Sequence, residues 1–214
     1  KNKAVEAKMD LDLIEINKEL RGKTPEGIIN WAVSRSKRPI VTTNFGPYEA
    51  ALLYACVAQK ADMTVIWCDS GYNTPDTYRH ADELTSKLHL QLSVYLPRKS
   101  AAHRNALMGG IPEISDPLHR DFTEEVKLEP FGRAMAEHRP DLWFNNLRKG
   151  QTEFRDSLDI ASSSSDGVLK ISPFFYWSDK DIEGYLRANN LPNETNYFDP
   201  TKVLGHRECG LHTR

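Results

Sequence analysis

Two kinds of apolar pattern alternate along this chain. Five short runs of β-branched and aliphatic residues, Pro39 to Asn44, Met63 to Cys68, Leu90 to Tyr95, Leu142 to Asn146 and Gly167 to Ile171, predict strands. Met63-Thr64-Val65-Ile66-Trp67-Cys68 is almost continuously apolar, the pattern of a strand covered on both faces. Between these runs the spacing becomes helical. Thr24-Pro25 supplies an N-cap and a proline at the first helical position, ahead of Ile28, Trp31 and Ala32. Tyr48 to about Lys60 is rich in Ala and Leu, and Thr74-Pro75 opens a helix through Tyr78, Ala81 and Leu84 towards Leu88. Val126 to His138 and the segment after Ser178-Asp179-Lys180-Asp181 complete the helical set, the latter behind a variant capping box. From Pro97 to about Phe122 the pattern weakens around Gly109-Gly110, Pro112 and Pro117, which predicts a loop-rich insertion.

Strands alternating with helix-length crossovers predict an α/β fold: a doubly wound, mostly parallel sheet of about five strands with flanking helices. The expected division is a nucleotide-binding α/β domain over 1–192, including an N-terminal helical segment, and a flexible C-terminal catalytic tail over 193–214. In such sheets ligands sit beyond the carboxyl ends of the strands. Those ends carry chemistry here. The first ends in Thr42-Thr43-Asn44-Phe45-Gly46, the second in Asp69-Ser70-Gly71-Tyr72, and the fourth in Asn145-Asn146-Leu147-Arg148-Lys149-Gly150-Gln151.

Composition narrows the class. The chain has 214 residues, 39% of them apolar and 27% charged, with 28 Lys and Arg against 30 Asp and Glu for a net charge of −2. This is a globular balance, with no sign of a chain built to coat nucleic acid or an anionic membrane. No apolar run approaches the roughly 20 residues of a membrane span. Three cysteines, Cys56, Cys68 and Cys209, form neither a disulfide framework nor a CxxC pair, which favours a reducing, cytoplasmic compartment and leaves no metal site expected.

The strand ends suggest anion chemistry. A glycine and hydroxyls just before a helix can bring phosphate to main-chain N–H groups, although the segment is neither GxGxxG nor a Walker A loop, and an ordinary turn remains an alternative. Asp69 could accept a hydrogen bond from a ribose hydroxyl or adenine amine, or simply cap its turn. Arg148, Lys149 and Arg155 with Gln151 concentrate donors that match phosphate or sulfate oxygens. Lys127 and Arg133 lie on a predicted helix and read as surface residues on spacing alone. Cys56 and Cys68 sit in apolar runs, whereas Cys209 lies in a polar segment beside His206, Arg207 and His212. A free thiol is only roughly 7% ionised near pH 7.4, and lowering its pKa by about 1.5 units makes thiolate the majority form. Neighbouring cations supply that bias, opposed by Glu208, so Cys209 is a candidate nucleophile.

Several of these segments resemble one family. Glu208-Cys209-Gly210-Leu211-His212 resembles the ECG(L/I)H signature of the phosphoadenylyl-sulfate (PAPS) reductases, within the adenine-nucleotide alpha-hydrolase-like group. Thr43-Asn44-Phe45-Gly46 stands in place of the family's Ser-Ser-Phe-Gly loop, and Asp69-Ser70-Gly71-Tyr72 with Pro75-Asp76-Thr77-Tyr78 in place of its DTGY and PETY stretches. Lys127-Leu128-Glu129-Pro130 with Arg133 resembles its KVEP helix, and Leu147-Arg148-Lys149 with Gln151 and Arg155 its LRR loop. The likeness runs from about Leu13 to His212. It implies reduction of PAPS to sulfite and adenosine 3′,5′-bisphosphate in sulfate assimilation. In that chemistry Cys209 forms an S-sulfocysteine, with Arg207 and His212 beside it, and a thioredoxin or glutaredoxin resolves the intermediate. It also implies that Thr42, Thr43, Asn44, Phe45, Gly46, Asp69, Ser70, Gly71, Lys127, Arg133, Arg148, Lys149, Gln151 and Arg155 hold the substrate, and that a homodimer is common. The family's iron–sulfur members carry two cysteine pairs, one falling where this chain has Val126-Lys127; neither pair is present, so no cluster or other bound cofactor is expected.

The chain departs from the pattern in three places. Asn44 replaces a serine, Lys149 replaces an arginine, and the stretch from Asn193 to Gly205 is shorter than the family's phosphate-holding segment. Two other readings stay open on the sequence: an ATP pyrophosphatase or adenylyltransferase of the same fold, whose SGGxDS loop is absent, and a catalytically silent nucleotide-binding protein.

Overall fold

A computed structural model describes residues 12–202. The predicted N-caps close their helices as expected. Helical residues 12–20 (α1) lead into α2 (Pro25–Val33), where the Thr24 hydroxyl accepts a hydrogen bond from Gly27 N. Such a cap contributes about 1 kcal/mol. α4 (Pro75–Leu88) repeats the device with Thr74 and Pro75, and the full capping box of Ser178 and Asp181 opens α9 (Asp179–Ala188).

The strands are β1 (Pro39–Thr43), β2 (Thr64–Cys68), β3 (Gln91–Tyr95), β4 (Leu142–Phe144), β5 (Ala161–Ser163) and β6 (Leu169–Ile171). They form one sheet in the order β3-β2-β1-β4-β6-β5, with Val41 beside Val65 and Ile40 beside Trp143. All neighbours are parallel except β5 and β6. The expected five strands become six because the serine run, counted as a connection, supplies β5: Ser162 and Ser163 pair with Lys170 and Leu169. Serine carries no apolar signal, so only its pairing reveals the strand.

The sheet is covered on both sides. One face packs Val41, Val65 and Phe144 with Leu52 and Leu53 of α3 (Glu49–Gln59) and with α2, α4 and α9. The other packs Ile40, Ile66 and Trp143 with Phe131 and Ala134 of α7 (Glu129–His138). The insertion expected to be loop-rich instead holds α5 (Ala101–Met108) and α6 (Leu118–Thr123), the former capped by Ser100. From α6 the chain passes through a π-helical turn, Glu124–Leu128, directly into α7. The fully buried Arg104 of α5 reaches Glu125 of that turn at 2.9 Å, so the insertion is built around a buried ion pair that period-based reasoning does not detect.

Candidate active site

Chain order reverses between β1 and β4. From β1 the chain winds outward to β2 and β3, and then returns to place β4 on the other side. Loops leaving such neighbours diverge and open a crevice at their carboxyl ends. A cavity of about 540 Å³ occupies that place. Its wall is made by Thr42, Thr43 and Asn44 at the end of β1, Cys68 at the end of β2 and Asn145 to Arg148 after β4; Glu49, Lys127, Gln151, Arg155 and Lys202 also line it.

The turn between β1 and α3 is conformationally constrained. Phe45 and Tyr48 both have positive φ, 52° and 67°, which side chains other than glycine rarely adopt. Phe45 is wholly buried, edge-on to Trp67 at 5.0 Å between ring centres, and this packing offsets the backbone cost. Gly46 is required by crowding, since a β-carbon there would lie 3.2 Å from the Tyr197 ring and 2.8 Å from Asn44 Oδ1. The main-chain cradle expected here is already occupied. Phe45 N donates to Thr43 Oγ1 at 2.9 Å, Gly46 N to Asn44 Oδ1 at 2.8 Å and Tyr48 N to Asn193 Oδ1 at 2.8 Å. Side chains, more than bare N–H groups, therefore present the polar surface of this wall.

The segment after β4 is different. Asn145 Nδ2, Asn146 Oδ1 and Arg148 Nε are buried and have no protein hydrogen-bond partner. Buried polar atoms are nearly always satisfied, and leaving one bare costs about 1–3 kcal/mol. Three in one short segment on a cavity wall match a polar ligand. Gln151 organises the same stretch: its Oε1 accepts from Arg148 N at 3.0 Å and from the Arg155 guanidinium. Arg148 is further held 2.6 Å from Asp179 and 5.1 Å from the centre of the Tyr48 ring.

Residues 193–202 form a strap beside the cavity. Thr74 Oγ1 donates to Asn196 O at 2.9 Å, Asn196 Nδ2 to Asp76 at 2.7 Å, and Lys127 Nζ to Asp199 at 2.7 Å. Tyr197 and Lys202 of this strap line the cavity. Lys127, indistinct from a surface lysine by spacing, lies in the π-helical turn and borders the cavity.

Not every expected substrate contact borders the cavity. Asp69 Oδ1 accepts from Gly71 N, Asn73 Nδ2 and Tyr78 Oη at 2.9, 2.8 and 3.0 Å, which ties that oxygen to its own turn. Ser70 accepts from Tyr72 N, and Gly71 provides the positive φ of that turn. Arg133 pairs with Glu129 and donates to Leu96 O, outside the wall. Lys149 points to the Tyr176 ring, 5.7 Å away, while Phe45 and Gly46 shape the turn from behind. Cys209, Arg207 and His212 lie outside the described residues.

Among the charged residues of the wall, two escaped sequence reasoning. Lys202 lacks any motif. Glu49 sits in the first turn of α3, where an acidic residue is ordinarily a partner for the helix dipole. Here it is buried, and desolvation pushes its carboxyl up to about 7, despite hydrogen bonds with Asn146 and Thr43 and attraction to Arg155 and Lys202. Burial likewise pushes the Cys68 thiol up to about 12, against the pull of Lys127 and Arg133. Among the described residues no group of three or more His, Cys, Asp or Glu side chains could hold a metal ion, and no helix is long and apolar enough to cross a membrane.

Comparison with known proteins agrees with this geometry. A model of the phosphoadenosine phosphosulfate reductase domain matches residues 38–210. A phosphoadenosine 5′-phosphosulfate reductase of Xylella fastidiosa is 33% identical, with 94% of each chain covered. One from Vibrio cholerae is 32% identical over 94% of this chain and 88% of its own. The fold is similar to that of a phosphoadenylyl-sulfate reductase from Candida auris, solved as a phosphate complex, with a TM-score of 0.72, 24% identity and 84% and 86% of the two chains covered. A family match that runs from before β1 to beyond Cys209, over a crevice lined with cations and unsatisfied amides, places this chain in the phosphoadenosine phosphosulfate reductase family.

Proposed function

We propose that this protein reduces 3′-phosphoadenylyl sulfate to sulfite and adenosine 3′,5′-bisphosphate, with the nucleotide in the β1–β4 crevice and Cys209 as the nucleophile. The observation that carries this reading is the cluster of unsatisfied Asn145, Asn146 and Arg148 atoms beside Arg155, Lys127 and Lys202 on one cavity wall. Phosphate and sulfate oxygens match this concentration of positive charge and of buried donors better than a neutral metabolite does.

The chemistry follows from charge. A Cys209 thiolate attacking the sulfuryl sulfur approaches an already anionic group. Arg148 and Arg155 lower that repulsion and stabilise the phosphate that departs when the S–O bond breaks. The enzyme is left with an S–S bond to an SO3 group on Cys209. A thioredoxin- or glutaredoxin-type dithiol then attacks Cys209 Sγ, sulfite leaves with the bonding pair, and the second thiol closes the reductant's disulfide. Two electrons thus pass from the dithiol to sulfur, and no bound cofactor enters. Arg207 and His212, next to Cys209 in sequence, are assigned to lowering its pKa and to pairing with the sulfuryl oxygens. Residues 193–214 serve as the catalytic tail of a domain that works in the reducing cytoplasm, as a homodimer.

The test is intact mass after incubation with PAPS in the absence of reductant. Wild type gains one SO3 on Cys209, and a dithiol removes it with release of sulfite. Cys209→Ser gains nothing and forms no sulfite. Turnover by Cys209→Ser at the wild-type rate overturns the reading.

A further inference from the structure

The three buried atoms after β4 that lack a partner among the described residues are not of one kind. The Asn145 amide has a fixed orientation, because its Oδ1 accepts from Leu147 N at 3.1 Å and from Ser172 Oγ at 2.7 Å. A main-chain N–H can only donate, so the unmatched atom of Asn145 is its amide nitrogen, a donor. Arg148 engages Asp179 at 2.6 Å and Trp177 O at 3.4 Å through Nη1, and its unmatched Nε is a second donor. The unmatched atom of Asn146 is Oδ1, an acceptor. All three residues line the crevice.

This pattern excludes an anion as the whole ligand. Oxygens of an ionised phosphate or sulfate accept from Asn145 and Arg148, but they have no proton to give Asn146. Set against Oδ1 they are repelled, and an unfilled place leaves a buried acceptor bare. The ligand must therefore carry a hydrogen-bond donor close to its negative charge. Adenosine 3′,5′-bisphosphate with ionised phosphates has two such groups, the ribose 2′-hydroxyl and the adenine 6-amine. The hydroxyl sits on the ribose carbon next to the one that bears the 3′-phosphate, whereas the amine is on the far edge of the base. Only the hydroxyl sets a donor beside phosphate oxygens within reach of one short segment.

We propose that Asn146 is a specificity residue whose Oδ1 accepts a hydrogen bond from the 2′-hydroxyl of the nucleotide, while Asn145 Nδ2 and Arg148 Nε donate to oxygens of the neighbouring phosphate. The site then selects a ribonucleotide over its 2′-deoxy counterpart, since loss of the hydroxyl leaves Oδ1 bare again. The inference rests on the reading that this crevice holds a nucleotide, and adds which group of that nucleotide the loop after β4 reads.

The test is a cycle of Kd values from titration calorimetry at pH 8, where the phosphates are ionised. The ligands are adenosine 3′,5′-bisphosphate, its 2′-deoxy analogue, and the purine riboside analogue without the 6-amine; the proteins are wild type, Asn146→Ala and Asn146→Asp. Wild type is expected to bind the ribonucleotide about ten-fold more tightly than the 2′-deoxy analogue, and Asn146→Ala to bind both alike. Asn146→Asp should weaken both through its added charge yet keep the preference, because a carboxylate oxygen still accepts. A merely structural role for Asn146 would lower both affinities in parallel and leave the ratio unchanged in every variant, which overturns the proposal. A wild-type ratio of one overturns it even if neither variant folds. A preference that follows the 6-amine and disappears in Asn146→Ala assigns Oδ1 to the base and overturns the 2′-hydroxyl. Wild type that binds none of the three ligands removes the nucleotide reading, and this inference with it.

Discussion

Lys127 Nζ lies 2.7 Å from Asp199 Oδ2, joining the π-helical turn before α7 to the strap beside the crevice. Burial by itself would raise the Asp199 carboxyl. Attraction to Lys127, with hydrogen bonds from Lys127 and Thr201, overcomes that and holds it below the usual carboxylate range. The contact therefore stabilises the strap above the ordinary carboxylate pKa, and its contribution disappears as pH falls through the depressed value. Asp199→Asn is expected to cost about 2 kcal/mol in urea unfolding, since it leaves a half-buried lysine without its counter-charge. Amides of residues 193–202 should exchange faster with solvent deuterium. Unchanged exchange there would show that the strap is held by other contacts.

A second ion pair supports the same turn from behind. Arg104, with no exposed surface, donates to Glu125 at 2.9 Å and to Lys99 O at 2.8 Å, and Lys99 reaches Glu125 at 2.7 Å. The Lys99 hydrogen bond, ahead of that from Arg104, holds the Glu125 carboxyl low in spite of partial burial. Arg104→Met should cost about 3 kcal/mol, and Glu125→Leu placed on top of it should recover part of that loss. Additive losses in the double variant would mean the two side chains stabilise the fold independently.

Arg148 is 8% exposed and offers its guanidinium from the loop after β4. Charge-assisted hydrogen bonds contribute about 1.5–3 kcal/mol, so Arg148→Ala should weaken binding of adenosine 3′,5′-bisphosphate by roughly ten- to hundred-fold. Arg148→Lys should recover only part of this, having lost the planar fork. Calorimetry giving wild-type affinity for the alanine variant removes Arg148 from the site.

The cysteines should separate by reactivity. With the Cys68 thiol up at about 12, and Cys56 buried and raised further, well under one in a thousand of either is ionised near neutral pH. Iodoacetamide at pH 7.5 is expected to label Cys209 first, as read by peptide mass spectrometry, and activity should fall in step with that label. Labelling of Cys68 at the rate of a small free thiol would contradict its burial.

Glu49 also predicts a pH dependence of folding. A carboxyl raised to about 7 in the folded state binds its proton more tightly there than in the unfolded chain. Stability is thus greatest below the unfolded value and declines as pH rises towards 7. The urea midpoint of wild type should fall between pH 5 and pH 8, and Glu49→Gln should flatten that fall. A wild-type midpoint that rises over the interval would show Glu49 to be ionised throughout.

The alternation of strand and helix was legible because β1, β2 and β3 are buried runs with capped helices between them, and Thr24, Thr74 and Ser178 announce their helices through side-chain chemistry. Sheet order was not, since nothing in Leu142 to Phe144 says that β4 returns beside β1. The π-helical turn leaves no period of its own: one extra residue in a turn looks like ordinary helix, and the place of Lys127 on the cavity wall was hidden with it. Asp69 shows the opposite difficulty. An aspartate that closes an Asx turn and one that receives a ribose hydroxyl occupy the same place after a strand, and the sequence does not show that Gly71, Asn73 and Tyr78 all bond Oδ1. Glu49 was passed over because its position in a first helical turn has a sufficient ordinary explanation.

Anchoring the strap at Lys202 sets a leash on the sulfur chemistry. Cys209 follows only seven residues later, and seven residues span at most roughly 25 Å whatever path they take. That chain length is an upper bound on how far from the crevice wall the thiol can act.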